Sequence, residues 1–554
     1  MFDRHFKVWP RNVPRHLTIP ETNLPFNLMV SARRYPDRTA IIHCGKSLRY
    51  AEFHDQVERL AGYLQRRLGV AKGERVLLYM QNSPQFMIAY YAILRADAVV
   101  VPVNPMNRTA EMQHLVADTG ARVAVLGQEL FAVIEPLLGQ GGLEHAVVAS
   151  YAEYADPAFD LPVPDAVKAP PRTGFGTAAA VPWRDALAAG AVAAPSTAGP
   201  DDLAVLPYSS GTTGNPKGCM HTHRTVMTTV VGGLAWNPSP TDSVNLVTLP
   251  LFHVTGMQNS MNAPIFVGAT MVILPRWDRR IAAELIQRYR VARWRSISTM
   301  AIDLVNDPEV ARFDLSSLLF IGGGGASMPE PVANKLRELT GLDYIEGYGL
   351  SETIAATHIN PIDRPKRQCL GIPVFDVDSR IVGVDDGREL GPGEVGEIVI
   401  NGPQVFKGYW NDPKGTADAF LELDGKRFFR TGDLGHYDED GYFFIVDRVK
   451  RMINASGYKV WPTEVEGLMH RHPAISEVCV VAAPDARRGE TVKAFVVLRE
   501  DRRGTVSGPE IIAWCRDGMA AYKCPSLVEI VDALPRSATG KLQWRELQNR
   551  EWNA

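Results

Sequence analysis

Eleven residues from Tyr208 to Gly218 read Tyr-Ser-Ser-Gly-Thr-Thr-Gly-Asn-Pro-Lys-Gly. Gly211, Gly214 and Gly218 let backbone N–H groups come close to anionic oxygens. The hydroxyls of Ser209, Ser210, Thr212 and Thr213 add donors, and Lys217 adds a positive charge. This composition suits a polyphosphate, although a plain polar turn draws on the same residue types. The apolar run Leu203–Leu206 leads into it, as a strand feeding a loop would. It is not the Gly-Lys-Ser/Thr phosphate loop, because Pro216 stands directly before Lys217 and glycine follows.

The segment resembles the signature loop of the adenylate-forming superfamily: acyl-CoA synthetases, adenylation domains of peptide synthetases, and firefly-type luciferases. Further motifs similar to that superfamily's follow in its order. They are Gly347-Tyr348-Gly349-Leu350-Ser351-Glu352, Tyr409-Trp410-Asn411, Thr431-Gly432-Asp433, Asp447-Arg448-Val449-Lys450 and Pro535-Arg536-Ser537-Ala538-Thr539-Gly540-Lys541. The resemblance extends over nearly the whole chain. It implies a reaction in two halves: a carboxylate attacks the α-phosphorus of ATP and expels pyrophosphate, then a thiol attacks the acyl-adenylate and expels AMP. The first half calls for charge neutralisation and positioning more than for a base, since a carboxylate is already ionised at neutral pH.

By that resemblance Glu352 coordinates Mg²⁺, a hard cation that takes carboxylate oxygen, with Thr212 as a further metal ligand. Tyr348, flanked by Gly347 and Gly349, offers its ring to adenine. Ser209, Ser210, Thr212, Thr213, Thr353 and Lys217 are candidate phosphate contacts, and Asp433 accepts both ribose hydroxyls. Arg448 reaches the ribose or a phosphate. Lys541 neutralises charge between the substrate carboxylate and the α-phosphate. Lys450 holds the hinge position of a small domain that rotates between the half-reactions. Rotation would bring Ser456 and Gly457 to the site, where glycine lets the CoA arm pass close to the backbone.

The acid is read from Leu249-Pro250-Leu251-Phe252-His253-Val254-Thr255-Gly256-Met257, which looks like the acyl-pocket motif of fatty-acyl and aryl CoA ligases. His253 is expected at the pocket mouth. Peptide-synthetase domains usually place aspartate there for an amino group, so an amino-acid substrate is not expected. Gly322 to Gly325, of which Gly323, Gly324 and Gly325 are the expected pocket residues, would line the acyl site with Trp236, Met257, Met261, Met300 and Ile302. No cation stands out as dedicated to a second carboxylate. The expected activity is an ATP-, Mg²⁺- and CoA-dependent acyl-CoA synthetase for a medium- or long-chain fatty acid. Aryl or arylalkanoic acids, and loading of a carrier protein, are the alternatives.

The elements that must position these residues alternate between helix and strand. Phe53, Val57, Leu60, Leu64 and Leu68 recur at helical spacing before Gly69; 75–80, 98–103 and 122–126 read as buried strands; Ser83-Pro84 opens a helix to about Arg95. This predicts an α/β fold with mostly parallel sheets in a large multi-subdomain N-terminal domain, 1–449. A small mobile α/β domain, 450–554, follows a hinge at Lys450. In it 464–471 and 509–519 read as helices, and 477–483, 492–498 and 527–531 as strands. The Pro-, Ala- and Gly-rich stretch 152–200 reads as a surface excursion inside the large domain, with a domain boundary as the alternative.

The 554 residues exceed one ordinary core. A formal charge of −3 gives no reason to expect nucleic acid as partner, and six scattered cysteines without a C-x-x-C pair argue against a zinc site or a disulfide framework. With no apolar leader and no run long enough to span a bilayer, a cytoplasmic enzyme is expected, and a homodimer is left open.

Overall fold

The computed structural model describes residues 2–139, 141–209, 216–325, 328–455, 458–485, 489–536 and 542–553. The chain divides into two compact units. One takes Met1–Ser379, Ile400–Phe429 and Asp440–Tyr442; the other takes Arg380–Val399, Arg430–Glu439 and Phe443–Ala554.

Two large sheets lie in the larger unit. The first has seven strands in the order His221–Thr222, Leu203–Val205, Val99–Val103, Arg75–Tyr79, Val123–Gly127, His145–Ala149 and Ala180–Pro182. All neighbours but the first pair run parallel. The second has nine, in the order Ile372–Pro373, Ala355–Ile359, Tyr344–Leu350, Phe320–Gly324, Arg293–Ser296, Val244–Val247, Thr270–Ile273, Thr39–His43 and Lys46–Arg49. Its six central strands are parallel. Strands whose two faces are both covered read as continuous apolar runs, which is why 75–80 and 98–103 were legible.

The expected helix over 53–68 spans Tyr50–Arg66, with Phe53, Val57, Leu60 and Leu64 buried. Ser83 caps Pro84–Arg95 by accepting a hydrogen bond from the Phe86 amide. That helix is apolar all round and buried all round. The stretch 152–200 differs from a plain excursion. Ala180–Pro182 is the seventh strand of its sheet, and Trp183, at the start of the helical segment Trp183–Ala188, is buried in the core. A strand of three residues is too short to carry a readable period.

The smaller unit centres on the long antiparallel pair Ile475–Asp485 and Gly489–Leu498. On the free edge of Gly489–Leu498, Leu527–Ile530 pairs in parallel, and the hairpin Ile453–Ala455 with Tyr458–Val460 pairs at Gly489. Helices Pro462–Met469, Gly508–Gly518 and Trp544–Asn553 accompany these strands. Among the described residues no helix is long and apolar enough to cross a membrane.

Candidate active site

The phosphate-loop candidate begins and ends in paired backbone. Ser209 pairs with Lys217 and Tyr208 with Gly218 in a short antiparallel ladder. Ser210, Gly211, Thr212, Thr213 and Gly214 lie outside the described residues. The base of the loop is tied down at Asp118, near the end of helix Thr109–Thr119: the Tyr208 hydroxyl donates to the Asp118 carboxylate, while Trp410 Nε1 and Asn411 Nδ2 donate to its carbonyl at 3.0 and 2.8 Å. The Tyr-Trp-Asn motif, readable in sequence but without a role there, is thus a clamp on the loop.

Lys217 pairs with Asp412 at 2.6 Å, and its Nζ lies 5.0 Å from the centre of the Tyr409 ring. The Tyr409 hydroxyl donates to Glu352 Oε1 at 3.0 Å. Three motifs more than fifty residues apart therefore meet in one charged cluster of the larger unit. Tyr409 is pushed well above its ordinary range, first by burial and then by the Glu352 charge, so it stays a donor. Burial, with Glu352 nearby, likewise raises the Cys219 thiol well above its ordinary value. Both groups therefore stay protonated near neutral pH.

Glu352 sits in the short turn Ser351–Thr353 that ends strand Tyr344–Leu350. The turn is strained: Ile354 has φ +46° and Ala355 φ +102°, a conformation neither side chain favours. Two supports hold it. His221 donates from Nε2 to the Ser351 carbonyl at 2.8 Å, and the Phe406 amide donates to the Glu352 carbonyl at 2.8 Å. Burial depresses His221 to about 4, so the ring is neutral and the Nε2 proton is fixed by its acceptor. Thr353 is fully buried and donates to the Ala355 carbonyl at 2.8 Å while accepting from the Leu350 amide, which makes it part of the turn. Residue 349 must be glycine, because a Cβ there would lie 1.8 Å from the Ala355 carbonyl oxygen.

Gly347 and Tyr348 lie on the same strand, with the Tyr348 ring 5.6 Å from His358. Gly323 and Gly324 end the neighbouring strand, and Gly325 follows at φ +90°. A Cβ at Gly323 would meet the Ser296 carbonyl oxygen at 1.8 Å, so part of the glycine run serves close strand packing. His253 is exposed and precedes the turn Val254–Gly256. Met257 and Met261 sit on the π-helical segment Met257–Asn262 and belong to the central core. Met300 and Ile302 lie half-buried on Ser298–Val305. Trp236 ends helix His223–Trp236, where Trp9 and Phe375 pack edge-on against it.

In the smaller unit Asp433 and Arg448 are partners across an antiparallel ladder, and Arg448 Nε lies 2.9 Å from Asp433 Oδ1. Asp433 is buried, Arg448 and Lys450 are exposed. Asp447, also buried, accepts from the Arg448 and Thr463 amides at 2.7 and 2.8 Å and lies near Arg451. The aspartate of the Asp-Arg-x-Lys motif thus ties this stretch to helix Pro462–Met469, a role the motif alone did not disclose. Ser456, Gly457 and Lys541 lie outside the described residues.

Residues 28–410 match the AMP-binding enzyme family and residues 464–541 match the AMP-binding enzyme C-terminal domain. The chain is 35% identical over 550 residues to a long-chain-fatty-acid–CoA ligase of Bacillus subtilis, covering 98% of this chain and 97% of that one. It is 34% identical over 523 residues to a feruloyl-CoA synthase of an Amycolatopsis species, covering 94% and 97%. Among solved structures, ATP-bound MatB from Rhodopseudomonas palustris superimposes with a TM-score of 0.82 at 28% identity, covering 96% and 99%.

Proposed function

This chain belongs to the AMP-binding enzymes, adenylate-forming acid–thiol ligases that make acyl-CoA from an acid, ATP and CoA, and we propose that its acid is a medium- or long-chain fatty acid. The observation that carries the site assignment is the cluster of Lys217, Tyr409, Asp412 and Glu352. It sets one lysine and one buried carboxylate beside a loop whose composition suits a triphosphate.

In this reading the loop 209–217 takes the phosphates of ATP and Tyr348 its adenine, while the ribose is the role proposed for Asp433 and Arg448. Glu352 holds Mg²⁺. Among the described residues no three His, Cys, Asp or Glu side chains gather for a metal. One carboxylate completed by phosphate oxygens and water is what magnesium ordinarily takes, so the residues present fit it. The ion would neutralise phosphate charge. Lys217 would add charge once it exchanges Asp412 for phosphate, and Lys541 would meet the charge that develops at the α-phosphorus. Lys450 is the pivot on which the C-terminal part, 450–554, turns between adenylation and thioester formation. His253 faces the reacting carboxylate, with Met257, Met261 and Met300 toward the acyl chain.

Similarity to a long-chain-fatty-acid–CoA ligase along nearly the whole chain supports a fatty acid; similarity to a feruloyl-CoA synthase keeps an aryl acid as the second reading. AMP release from a panel of fatty and aryl acids, with ATP, Mg²⁺ and CoA, decides between them. Fatty acids should give the highest kcat/KM. Faster turnover of cinnamic-type acids would replace the first reading with the second.

A further inference from the structure

Strand Arg293–Ser296 reads Arg-Trp-Arg-Ser, and neighbouring side chains alternate between faces. Trp294 joins one core with Leu246, Val272 and Ile321. Arg293 and Arg295 therefore take the opposite face. Arg293 shares its row with Asn245 and Met271, and on that face Met271, Val247 and Ile273 pack into the core that holds Met257 and Met261. Two arginines thus stand on the side of the sheet that carries the expected acyl walls.

Both guanidinium groups lie over the Phe320 ring, at 4.5 and 4.3 Å from its centre. Arg293 is satisfied: it donates to the carbonyls of Pro238 and Asn237 at 3.0 and 3.1 Å. Arg295 has no hydrogen-bond or ion-pair partner for its guanidinium among the described residues, yet it keeps accessible surface. Its charged neighbour is Arg293, a like charge. Burial, then the Arg293 charge, depresses Arg295 to about 9, and burial depresses Arg293 to about 10, so both remain positive at neutral pH. The Phe320 ring offers a cation–π contact, but no counter-charge. A second polar group nearby is also unsatisfied: Asn237 is 1% exposed, and neither its Nδ2 nor its Oδ1 has a partner among the described residues. A fully buried side chain whose polar atoms lack partners, as in Asn237, is rare in folded proteins and calls for a missing partner.

Direction completes the argument. Arg295 is paired in register with Gly322, and Phe320 with Arg293. By lying over Phe320, the Arg295 head leans back toward the start of the parallel strands. Ligand chemistry in such sheets gathers at the opposite, carboxyl ends, where His253, Gly325 and Glu352 follow their strands. An acid that reacts at the carboxyl ends would turn its far end toward Arg295.

We propose that Arg295, with Asn237 beside Arg293, binds a second carboxylate at the distal end of the acid, so that the chain favours α,ω-dicarboxylic acids over monocarboxylic acids of equal length. This rests on the acid-activating reading above and narrows it. The test is kcat/KM for AMP release, with ATP, Mg²⁺ and CoA, over matched length series of saturated monocarboxylic and α,ω-dicarboxylic acids, for the wild type, Arg295→Met and Arg295→Lys. At the fitting length the wild type should prefer the dicarboxylate by about 10–100-fold. Arg295→Met should raise the dicarboxylate KM and lower the monocarboxylate KM, which also shows that it folds; Arg295→Lys should keep part of the preference. If the wild type favours monocarboxylates at every length, the subsite is overturned whatever the variants do, and the fatty-acid reading stands. If the wild type releases AMP with no acid of either series, the fatty-acid reading itself falls.

Discussion

Glu352 in the larger unit and Asp433 in the smaller are both buried carboxylates assigned to ATP, yet the chain holds them in opposite ways. Glu352 stands past a strand end in a strained turn, and its supports come from far along the chain: His221, Phe406 and Tyr409. Asp433 forms the end pair of an antiparallel ladder, just before a register shift at Leu434/Gly435, and its ion-pair partner Arg448 is only fifteen residues on, directly across the same hairpin. Long-range assembly buys a site that closes only when the whole unit is folded. Local assembly gives a preformed carboxylate–arginine pair with the cation left exposed. The first should be sensitive to changes in its distant supports, the second to changes in its own short stretch.

The largest expected effect is on Lys541, whose proposed role is to meet the charge that develops at the α-phosphorus. Lys541→Ala should cost adenylation about 10²–10³ in rate, roughly 3–4 kcal/mol, and largely spare thioester formation from supplied acyl-adenylate. Pyrophosphate exchange and acyl-CoA formation, measured separately, read the two halves. Equal loss in both would remove Lys541 from the first step.

Lys450→Pro tests the local stretch of the smaller unit. Proline fixes φ near −65° and removes an amide proton. The Thr463 amide donates to Asp447 across the proposed pivot, so a turn of 450–554 about Lys450 has to break that bond. Adenylation should survive and thioester formation fall, seen as pyrophosphate release without matching acyl-CoA. A folded variant with normal acyl-CoA output would show that the pivot lies elsewhere. Glu352→Gln should act more mildly, as a higher Mg²⁺ requirement for pyrophosphate release, since an amide oxygen is the poorer ligand for a hard cation. An unchanged magnesium titration would take Glu352 out of that role.

The same contrast explains what the sequence could say. Buried parallel strands and the Ser83-capped helix were legible because their signals are local: apolar runs, helical spacing, a cap. The motifs were legible one by one. Their assembly was not. Nothing near Glu352 announces that Tyr409 will donate to it, or that His221 will carry the strained Ser351 carbonyl, because those contacts form only when three distant segments pack together. Arg295 escaped for a similar reason: in Arg-Trp-Arg-Ser an arginine pair reads as an exposed edge, and only the sheet order makes the strand internal. Asp447 was hidden inside a motif whose better-known members are its cations.

The smallest effect expected is a pH dependence of stability, and it returns to the support of Glu352. Burial depresses His221, His43 and His223 to about 4. In the unfolded chain a histidine titrates near 6.5. Below that pH the unfolded state takes up protons that the folded state refuses until about pH 4. Stability is therefore fully present above about 6.5 and falls as pH drops from 6.5 toward 4. One such histidine costs about 1.4 kcal/mol of stability by pH 5.5, one pK unit below 6.5 at 1.36 kcal/mol per unit. His221→Gln keeps a side-chain donor for the Ser351 carbonyl and cannot titrate. It should be less stable than wild type at pH 7.5, where a fitted imidazole is lost, yet lose less on going to pH 5.5. Thermal unfolding midpoints of both proteins at the two pH values measure the difference of differences. Identical pH slopes would mean that the protonation penalty of His221 is not part of what holds the Glu352 turn, whatever the ring contributes by packing.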